Sequence, residues 1–177
     1  MRKPRFNLII THEPTYVNYK WARDQLEFML DNIRIVDTSP SRILAYVDDP
    51  YKAVNIIREK IPKDTPILKV IPIDAVTEPY VEDVAKEVWN RAEKIPGDKT
   101  FRITMQGHLY WRSTGLRART IDAINYIAEK INRKVKLKEP DWIIYIKVLR
   151  VFRYQEVAAI TVTPIEYILS IVKLRSK

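Results

Sequence analysis

One stretch of the chain concentrates basic and aromatic side chains around a predicted helix start. Residues 107–119 read Gly-His-Leu-Tyr-Trp-Arg-Ser-Thr-Gly-Leu-Arg-Ala-Arg, and Ser113 or Thr114 is the expected N-cap of the helix. Arginines in a first helical turn oppose the macrodipole unless an anion joins them, and phosphate suits that position. We expect the arginines to contact phosphates and the rings to stack on nucleobases. The candidate residues are His108, Tyr110, Trp111, Arg112, Arg117 and Arg119.

A structural role is open for the same residues. Arg117 and Arg119 could simply extend into solvent. Trp111 is as well suited to core packing as to stacking on a base. The stretch therefore indicates nucleic-acid chemistry without excluding an ordinary folded loop.

A second basic segment, residues 134–138, reads Lys-Val-Lys-Leu-Lys. In a strand, its period of two would place the lysines on one face and Val135 and Leu137 toward the core. Lysine on an edge strand can also serve only to discourage aggregation. If the segment lies near the arginines, it would complete a cationic groove. Its candidate phosphate contacts are Lys134, Lys136 and Lys138.

The excess positive charge lies in the second half of the sequence. Residues 1–100 hold 16 Lys and Arg and 16 Asp and Glu, whereas residues 101–177 hold 15 against 6. Such an asymmetry is typical of a protein that binds a polyanion, and nucleic acid is the polyanion we expect. A solvated basic face, or a face for an acidic protein, is the alternative. Arg150 and Arg153, at the predicted tip of the last hairpin, would extend the field or be incidental.

The sequence offers little for catalysis. Its three glycines, at 97, 107 and 115, fit neither a dinucleotide-binding nor a P-loop motif, and there is no cysteine. His12 and His108 fall in different predicted domains, outside any metal-ligand spacing. The Asp48-Asp49 pair precedes Pro50 and indicates a turn and helix cap. We expect no enzyme activity, no cofactor and no metal.

The first part of the chain has the pattern of a ferredoxin-like βαββαβ domain. Pro50 opens the second helix, a position that suits proline. The predicted strands are 6–11, 33–36, 42–47 and 67–76, and the predicted helices are 19–31 and 50–61.

A second unit follows a boundary near Val76–Pro79. Apolar residues from Val81 to Ile95 recur with helical spacing. The predicted elements are helices at 81–95 and 116–131, with Ile121 facing the core, strands at 100–106, 134–138, 142–151 and 154–162, and a docked C-terminal helix from Pro164. The expected fold class is α+β, with domains at 1–78 and 79–177.

Residues 81–162 resemble a THUMP domain, an RNA-binding module of tRNA-modifying systems. The resemblance rests on the first helix, the strand Phe101-Arg-Ile-Thr-Met and the arginine-bearing loop before the second helix. It rests most closely on Val135-Lys-Leu-Lys-Glu-Pro-Asp141 before the strand 142–149, similar to the family's Val-Asp-Leu-x-Asn-Pro-Asp turn. Lys136 and Glu139 depart from that pattern, where the family often has Asp and Asn.

The resemblance implies a tRNA partner bound at its acceptor end. With no room for a catalytic domain, the chain is similar to the stand-alone adaptors that help a separate acetyltransferase make N4-acetylcytidine in tRNA. The alternatives are a structural subunit that binds an acidic protein and an unrecognised tRNA-modifying enzyme that uses His108. The apolar run after the basic start is too short for a signal peptide. No apolar run in the sequence is long enough to span a membrane. We therefore expect a cytoplasmic protein without a membrane partner.

Overall fold

The computed structural model describes residues 3–176, and Met1 and Arg2 of the basic start lie outside them. The chain forms two compact units. Within the described residues, the N-terminal unit combines residues 5–73 with 166–176, and the central unit combines residues 3–4 with 74–165. Each unit has its own five-stranded sheet and its own apolar core, so the expected α+β class is confirmed. No helix within residues 3–176 is long and apolar enough to cross a membrane.

The N-terminal unit has the ferredoxin-like order. Its elements are β1 (Leu8–His12), α1 (Tyr16–Met29), β2 (Arg34–Ser39), β3 (Arg42–Tyr46), α2 (Pro50–Lys60) and β4 (Ile67–Pro72). The strands pair antiparallel in the order β4-β1-β3-β2, and apolar residues of the sheet pack with residues of α1 and α2. The predicted βαββαβ arrangement is therefore confirmed.

Local capping sets where the two helices of this unit begin. Oδ1 of Asp49 accepts hydrogen bonds from the backbone N–H groups of Tyr51 and Lys52, each at 3.1 Å, so α2 starts at Pro50 as predicted. Helix α1 starts three residues before the predicted position because the Thr15 hydroxyl caps it, accepting from the N–H of Asn18 at 3.3 Å. Short polar residues thus define both starts.

The strand predicted at 67–76 is two strands in different sheets. Strand β4 ends at Pro72, and β5 (Ala75–Thr77) pairs with a strand of the central unit. Asp74 fixes the second pairing: its N–H donates to the Ile160 carbonyl at 2.9 Å, and its Oδ2 accepts from the Val162 N–H at 2.8 Å. The units divide between Ile73 and Asp74, a few residues before the boundary expected at Val76–Pro79.

The central unit carries a mixed sheet. Its further elements are α3 (Val81–Ala92), β6 (Thr100–Gln106), α4 (Thr120–Ala128), β7 (Lys134–Val135), β8 (Trp142–Val151) and β9 (Gln155–Pro164). The strand order is β5-β9-β8-β6-β7, in which β6 runs parallel to β7 and β8 and the other pairs are antiparallel. Buried residues of α3, α4 and the sheet form one core.

The C-terminal tail differs from the docked helix expected in the second domain. It forms a 3-10 turn (Ile165–Tyr167), a two-residue strand β10 (Leu169–Ser170) and a short helix α5 (Ile171–Arg175). Strand β10 pairs antiparallel with β4, and Leu169 and Ile171 are buried in the N-terminal core. The tail belongs to the N-terminal unit because β4 would otherwise expose an unpaired edge and these two apolar side chains.

Candidate nucleic-acid interface

The segment Gly107–Arg119, called the basic loop below, leaves the carboxyl end of β6 at a position that requires glycine. Gly107 has a φ of +89°, which residues with a side chain adopt at a cost. A Cβ at this position would lie 2.8 Å from the Cβ of Val148 on β8. The loop therefore starts in close contact with the neighbouring strand, which fixes the direction in which it leaves the sheet.

Backbone hydrogen bonds hold the basic loop against the start of α3. The N–H of Tyr110 donates to the Pro79 carbonyl, and the N–H of Val81 donates to the Tyr110 carbonyl, each at 2.9 Å. Within the loop, the N–H of Ala118 donates to the carbonyl of buried Leu109 at 2.9 Å. These bonds make the loop a fixed part of the central unit, so its exposed side chains project from a rigid support.

Arg112 is used inside the central unit. Its Nη2 lies 2.5 Å from Oδ2 of Asp83 and 3.6 Å from Oε1 of Glu78. The guanidinium carbon lies 4.2 Å from the centre of the Tyr80 ring, a cation–π distance. The hydrogen bond to Asp83 is the main cause that raises the pKa of Arg112. With the Arg112 N–H also donating to Glu82 at 2.8 Å, this residue ties the loop to α3.

Trp111 is half-buried against the core. Its ring meets Tyr126 of α4 edge-on, with the centroids 5.6 Å apart. Tyr126 in turn stacks on Trp89, whose Nε1 donates to the Ile127 carbonyl at 2.8 Å. The structure thus gives Trp111 the packing role that the sequence left open. Tyr110 is also half-buried.

The remaining three candidates of the basic loop, His108, Arg117 and Arg119, are exposed. Within residues 3–176, Arg117 and His108 have no hydrogen bond or ion pair from their side chains. The side chain of Arg119 is 79% exposed and bonds Asp122, with Nε 2.8 Å from Oδ2. This bond lowers the pKa of Asp122 and raises that of Arg119.

Helix α4 begins at Thr120, so the expected N-cap at Ser113 or Thr114 is wrong. The Trp111–Leu116 segment instead closes a turn, in which the Gly115 N–H donates to the Trp111 carbonyl at 2.7 Å. Arg119 stands at the N-cap, and its side chain makes no capping bond. The first turn of α4 therefore has backbone N–H groups next to Arg117 and Arg119, which favour an anion, and it also contains Asp122, whose carboxylate binds Arg119.

The segment 134–138 is an edge, and its predicted alternation is wrong. Strand β7 has only two residues, and Val135 and Leu137, expected in the core, are 54% and 70% exposed. The chain turns immediately afterwards: the Lys136 N–H donates to the Phe101 carbonyl at 2.9 Å. The lysine candidates Lys134, Lys136 and Lys138 are all exposed.

The predicted turn before β8 is present. Glu139 adopts a φ of +51°, and Pro140 is buried. Oδ2 of Asp141 accepts from the N–H and the Oγ1 of Thr100, at 2.9 and 3.1 Å. These hydrogen bonds lower the pKa of Asp141 and fix the start of β8 beside the start of β6.

The lysines and the arginines lie too far apart for the lysines to complete a single cationic groove. Lys134 pairs with Thr100 at the start of β6, whereas the basic loop follows Gln106 at its end. Six residue steps along a strand span about 20 Å. The central unit therefore has two separate basic clusters, at opposite ends of β6.

Charge counted by unit is less asymmetric than charge counted by halves of the sequence. Among residues 3–176, the central unit holds 17 Lys and Arg against 12 Asp and Glu, and the N-terminal unit holds 12 against 10. The acidic residues of α3 precede residue 101 in the sequence but belong to the same unit as the basic residues that follow it. Some of them bind Arg112. Charge is thus concentrated at particular places of the central unit.

The tip of the β8–β9 hairpin adds side chains that the sequence did not single out. Phe152 and Tyr154 are exposed beside the exposed Arg150 and Arg153. Only the arginines carried a signal in the sequence, since exposed rings cannot be told from core rings by residue type alone. Within residues 3–176, no three His, Asp or Glu side chains come together as a metal site.

No family model and no curated protein matches the sequence. Solved structures do match the fold. PH1313 from Pyrococcus horikoshii Ot3 superposes with a TM-score of 0.62 at 15% identity, over 90% of this chain and 55% of that one. A 4-thiouridine synthetase, in a complex with RNA and bound ATP, gives 0.53 at 14% identity, over 90% and 42%. TrmN from Thermus thermophilus gives 0.54 at 15% identity, over 90% and 47%.

The fold is THUMP-like. The resemblance stated from the sequence is thereby confirmed at the level of the fold, and the likeness at these identities shows the fold alone. The chain spans about half the length of the structures that it matches.

Proposed function

We propose that this protein binds tRNA through its central unit and presents the acceptor end to a separate modifying enzyme. The observation that carries the proposal is the exposed pair Arg117 and Arg119 at the start of α4, on a loop anchored by its own backbone. Cations and helix N–H groups held in place before binding suit a phosphate. The THUMP-like fold, shared with a 4-thiouridine synthetase that binds RNA, supports the same class of ligand.

The contacts divide by role. Arg112 and Trp111 position the basic loop, while Arg117, Arg119 and His108 contact the RNA and Tyr110 lines the contact. The lysines at 134, 136 and 138 form a second phosphate contact about 20 Å away along β6. A duplex stem can reach both clusters, so we expect recognition by shape and backbone rather than by sequence.

The adaptor role is the part of the proposal that rests on the resemblance to stand-alone THUMP proteins. Arginine, lysine and aromatic groups bind phosphates and bases, and the reaction is assigned to a partner enzyme. The resemblance to stand-alone THUMP adaptors supports a cytidine N4-acetyltransferase as that partner.

Fluorescence anisotropy tests the RNA-binding part of the proposal. Intact tRNA and tRNA lacking its single-stranded 3′ end are titrated with the protein across a salt series. With about four to six phosphate contacts, log affinity for intact tRNA is expected to fall against log salt with a slope of roughly −3 to −5. Tighter binding of intact tRNA supports the proposal. Equal, weak binding of both RNAs contradicts it and favours an acidic protein as the partner.

Reconstitution tests the adaptor part. The protein, the acetyltransferase, an acetyl donor and tRNA are combined, and N4-acetylcytidine is measured after nuclease digestion. We expect product only when both proteins are present. Modification by this protein alone, lost in His108→Ala, would identify it as an enzyme instead.

A further inference from the structure

The β8–β9 turn contains large side chains at two positions whose backbone conformation disfavours them. Val151 and Gln155 form the last pair of the ladder, which leaves Phe152, Arg153 and Tyr154 in the turn. Phe152 and Arg153 have φ values of +54° and +72°, both in the left-handed region. Positive φ values are adopted most easily by glycine and asparagine, because larger side chains raise the energy of that conformation. The protein places a phenylalanine and an arginine there.

The side chains at this turn are unusual for a solvent-exposed tip. Tyr154 is 87% exposed and Phe152 is 47% exposed, and Arg150 and Arg153 are exposed beside them. Residues 150–154 contain no acidic residue. Two accessible rings beside the exposed guanidinium group of Arg153 are a combination that binds single-stranded nucleic acid, since rings stack on bases and cations bind phosphates.

Strand register places the tip beyond the end of the sheet that bears the basic loop. The last pair between β6 and β8 is Gln106–Lys147, so β8 continues for four residues after β6 has ended. Four residues extend about 13 Å. The basic loop leaves at the same end, where Gly107 lies against Val148.

The alternation of side chains along β8 places Arg150 on the same side of the sheet as the basic loop. Ile144 and Ile146 face the core that contains α3 and α4. Arg150 has the same parity and therefore lies on the helix side of the hairpin, opposite Glu156. The basic loop leads into α4, so it lies on that side as well.

We propose that the hairpin tip, defined as Arg150–Tyr154, is a second contact for the bound RNA and stacks one unpaired nucleobase on Tyr154. Arg153 contacts the adjoining phosphate, and Phe152 supports the base from the side. This assignment rests on the proposed function, because the RNA is the one held by the basic loop. It adds a site for an unpaired base to a surface that otherwise recognises phosphates.

The test uses the double variant Phe152→Asn, Arg153→Gly, which places at the two left-handed positions residues that tolerate a positive φ. We expect a higher Tm than that of the wild type, because the left-handed strain is removed. We also expect at least a fivefold loss of affinity for tRNA and for octauridylate, measured by anisotropy at one salt concentration. A purely structural tip would give the higher Tm with unchanged affinity, and that result would overturn the proposal.

Single substitutions separate stacking from charge. Tyr154→Ala is expected to weaken binding of octauridylate about tenfold, whereas Tyr154→Phe retains wild-type affinity. Phe28→Ala, which removes a ring that is 91% exposed on α1, is the matched control and is expected to leave binding unchanged. Ultraviolet crosslinking of octauridylate to the wild type is expected to modify a peptide that contains Tyr154.

The outcomes distinguish the two proposals. If the wild type binds neither tRNA nor octauridylate, the proposed function fails, and the hairpin assignment fails with it. If the wild type binds tRNA with a steep salt slope and the hairpin variants bind equally well, only the hairpin assignment is overturned.

Discussion

The guanidinium of Arg112 contacts the carboxylate of Asp83 through two nitrogens, with Nε 3.2 Å and Nη2 2.5 Å from Oδ2. Arg112 belongs to the basic loop and Asp83 to the first turn of α3. A carboxylate there is favourable for the helix dipole, and the two-point contact fixes the orientation of the guanidinium. One arginine of the loop is therefore a positioning residue, and under the proposed function other side chains contact the RNA.

Removal of this partner is expected to loosen the loop. In Asp83→Asn, the backbone amides of Trp111 and Gly115, which donate to carbonyls within the loop at 2.8 and 2.7 Å, should exchange with solvent faster than in the wild type. Hydrogen exchange followed by NMR measures this change. Asp122→Asn, which removes the partner of Arg119, is the control and should leave both amides unchanged. Equal exchange in Asp83→Asn and the wild type would exclude the anchoring role.

Gly107 and Gly97 form a matched pair for testing backbone strain. Gly107→Ala forces a Cβ to 2.8 Å from Val148 at a φ of +89°, and we expect a loss of about 2–4 kcal/mol in the free energy of unfolding. A methyl group at Gly97 would meet no atom within 4 Å, so Gly97→Ala is expected to be neutral or slightly stabilising. Urea unfolding measures both. Equal stability of the two variants would contradict the account of the loop's departure from β6.

Because the C-terminal tail packs in the N-terminal unit, a mutation in the tail is expected to destabilise that unit. Leu169 is buried in the N-terminal core, and Leu169→Ala is expected to lower the free energy of unfolding by about 2–4 kcal/mol. Amides of β4, the strand paired with β10, should lose protection from exchange. The exposed Val172 is the control, since Val172→Ala removes little buried surface. Loss of protection in β8 and β9 instead would place the tail in the central unit.

The lowered pKa of Asp141 is expected to make the free energy of unfolding depend on pH. Its hydrogen bonds from Thr100 lower its pKa in the folded state, so the unfolded state binds the proton first as pH falls. The stabilisation is complete well above the unfolded pKa near 3.9 and is lost as pH falls through the lower folded value. Chemical unfolding at several pH values should therefore show wild type and Asp141→Asn converging below about pH 4. A constant difference between them would contradict this origin.

The sequence predicted the order of elements well because each depends on local signals. The cap at Asp49, the proline at 50 and the helical period of α3 depend on neighbours along the chain. The lysines of 134–138 and the pair Arg117 and Arg119 are exposed, as their residue types predict. The separation of the two clusters was not predictable, because it depends on which end of β6 each segment meets.

Two errors come from strand pairing, and a third comes from the position at which a helix starts. The alternation at 134–138 predicted a half-buried strand, but β7 is an edge that ends after two residues. Ile121, expected in the core, is exposed because α4 starts at Thr120 and buries Ala123 and Ile127 instead. The division at Ile73 depends on the pairing of β5 with β9, which no local pattern encodes.

The salt dependence of tRNA binding by a charge-reversed loop tests the central claim most directly. Arg117→Glu combined with Arg119→Glu is compared with the wild type and with Lys63→Glu, an exposed charge reversal in the N-terminal unit. We expect the double variant to lose at least tenfold in affinity and to have a salt slope shallower by about 2, since each phosphate contact contributes about 0.9. Lys63→Glu should change neither quantity appreciably. An unchanged affinity and an unchanged slope in the double variant would contradict RNA binding by the basic loop.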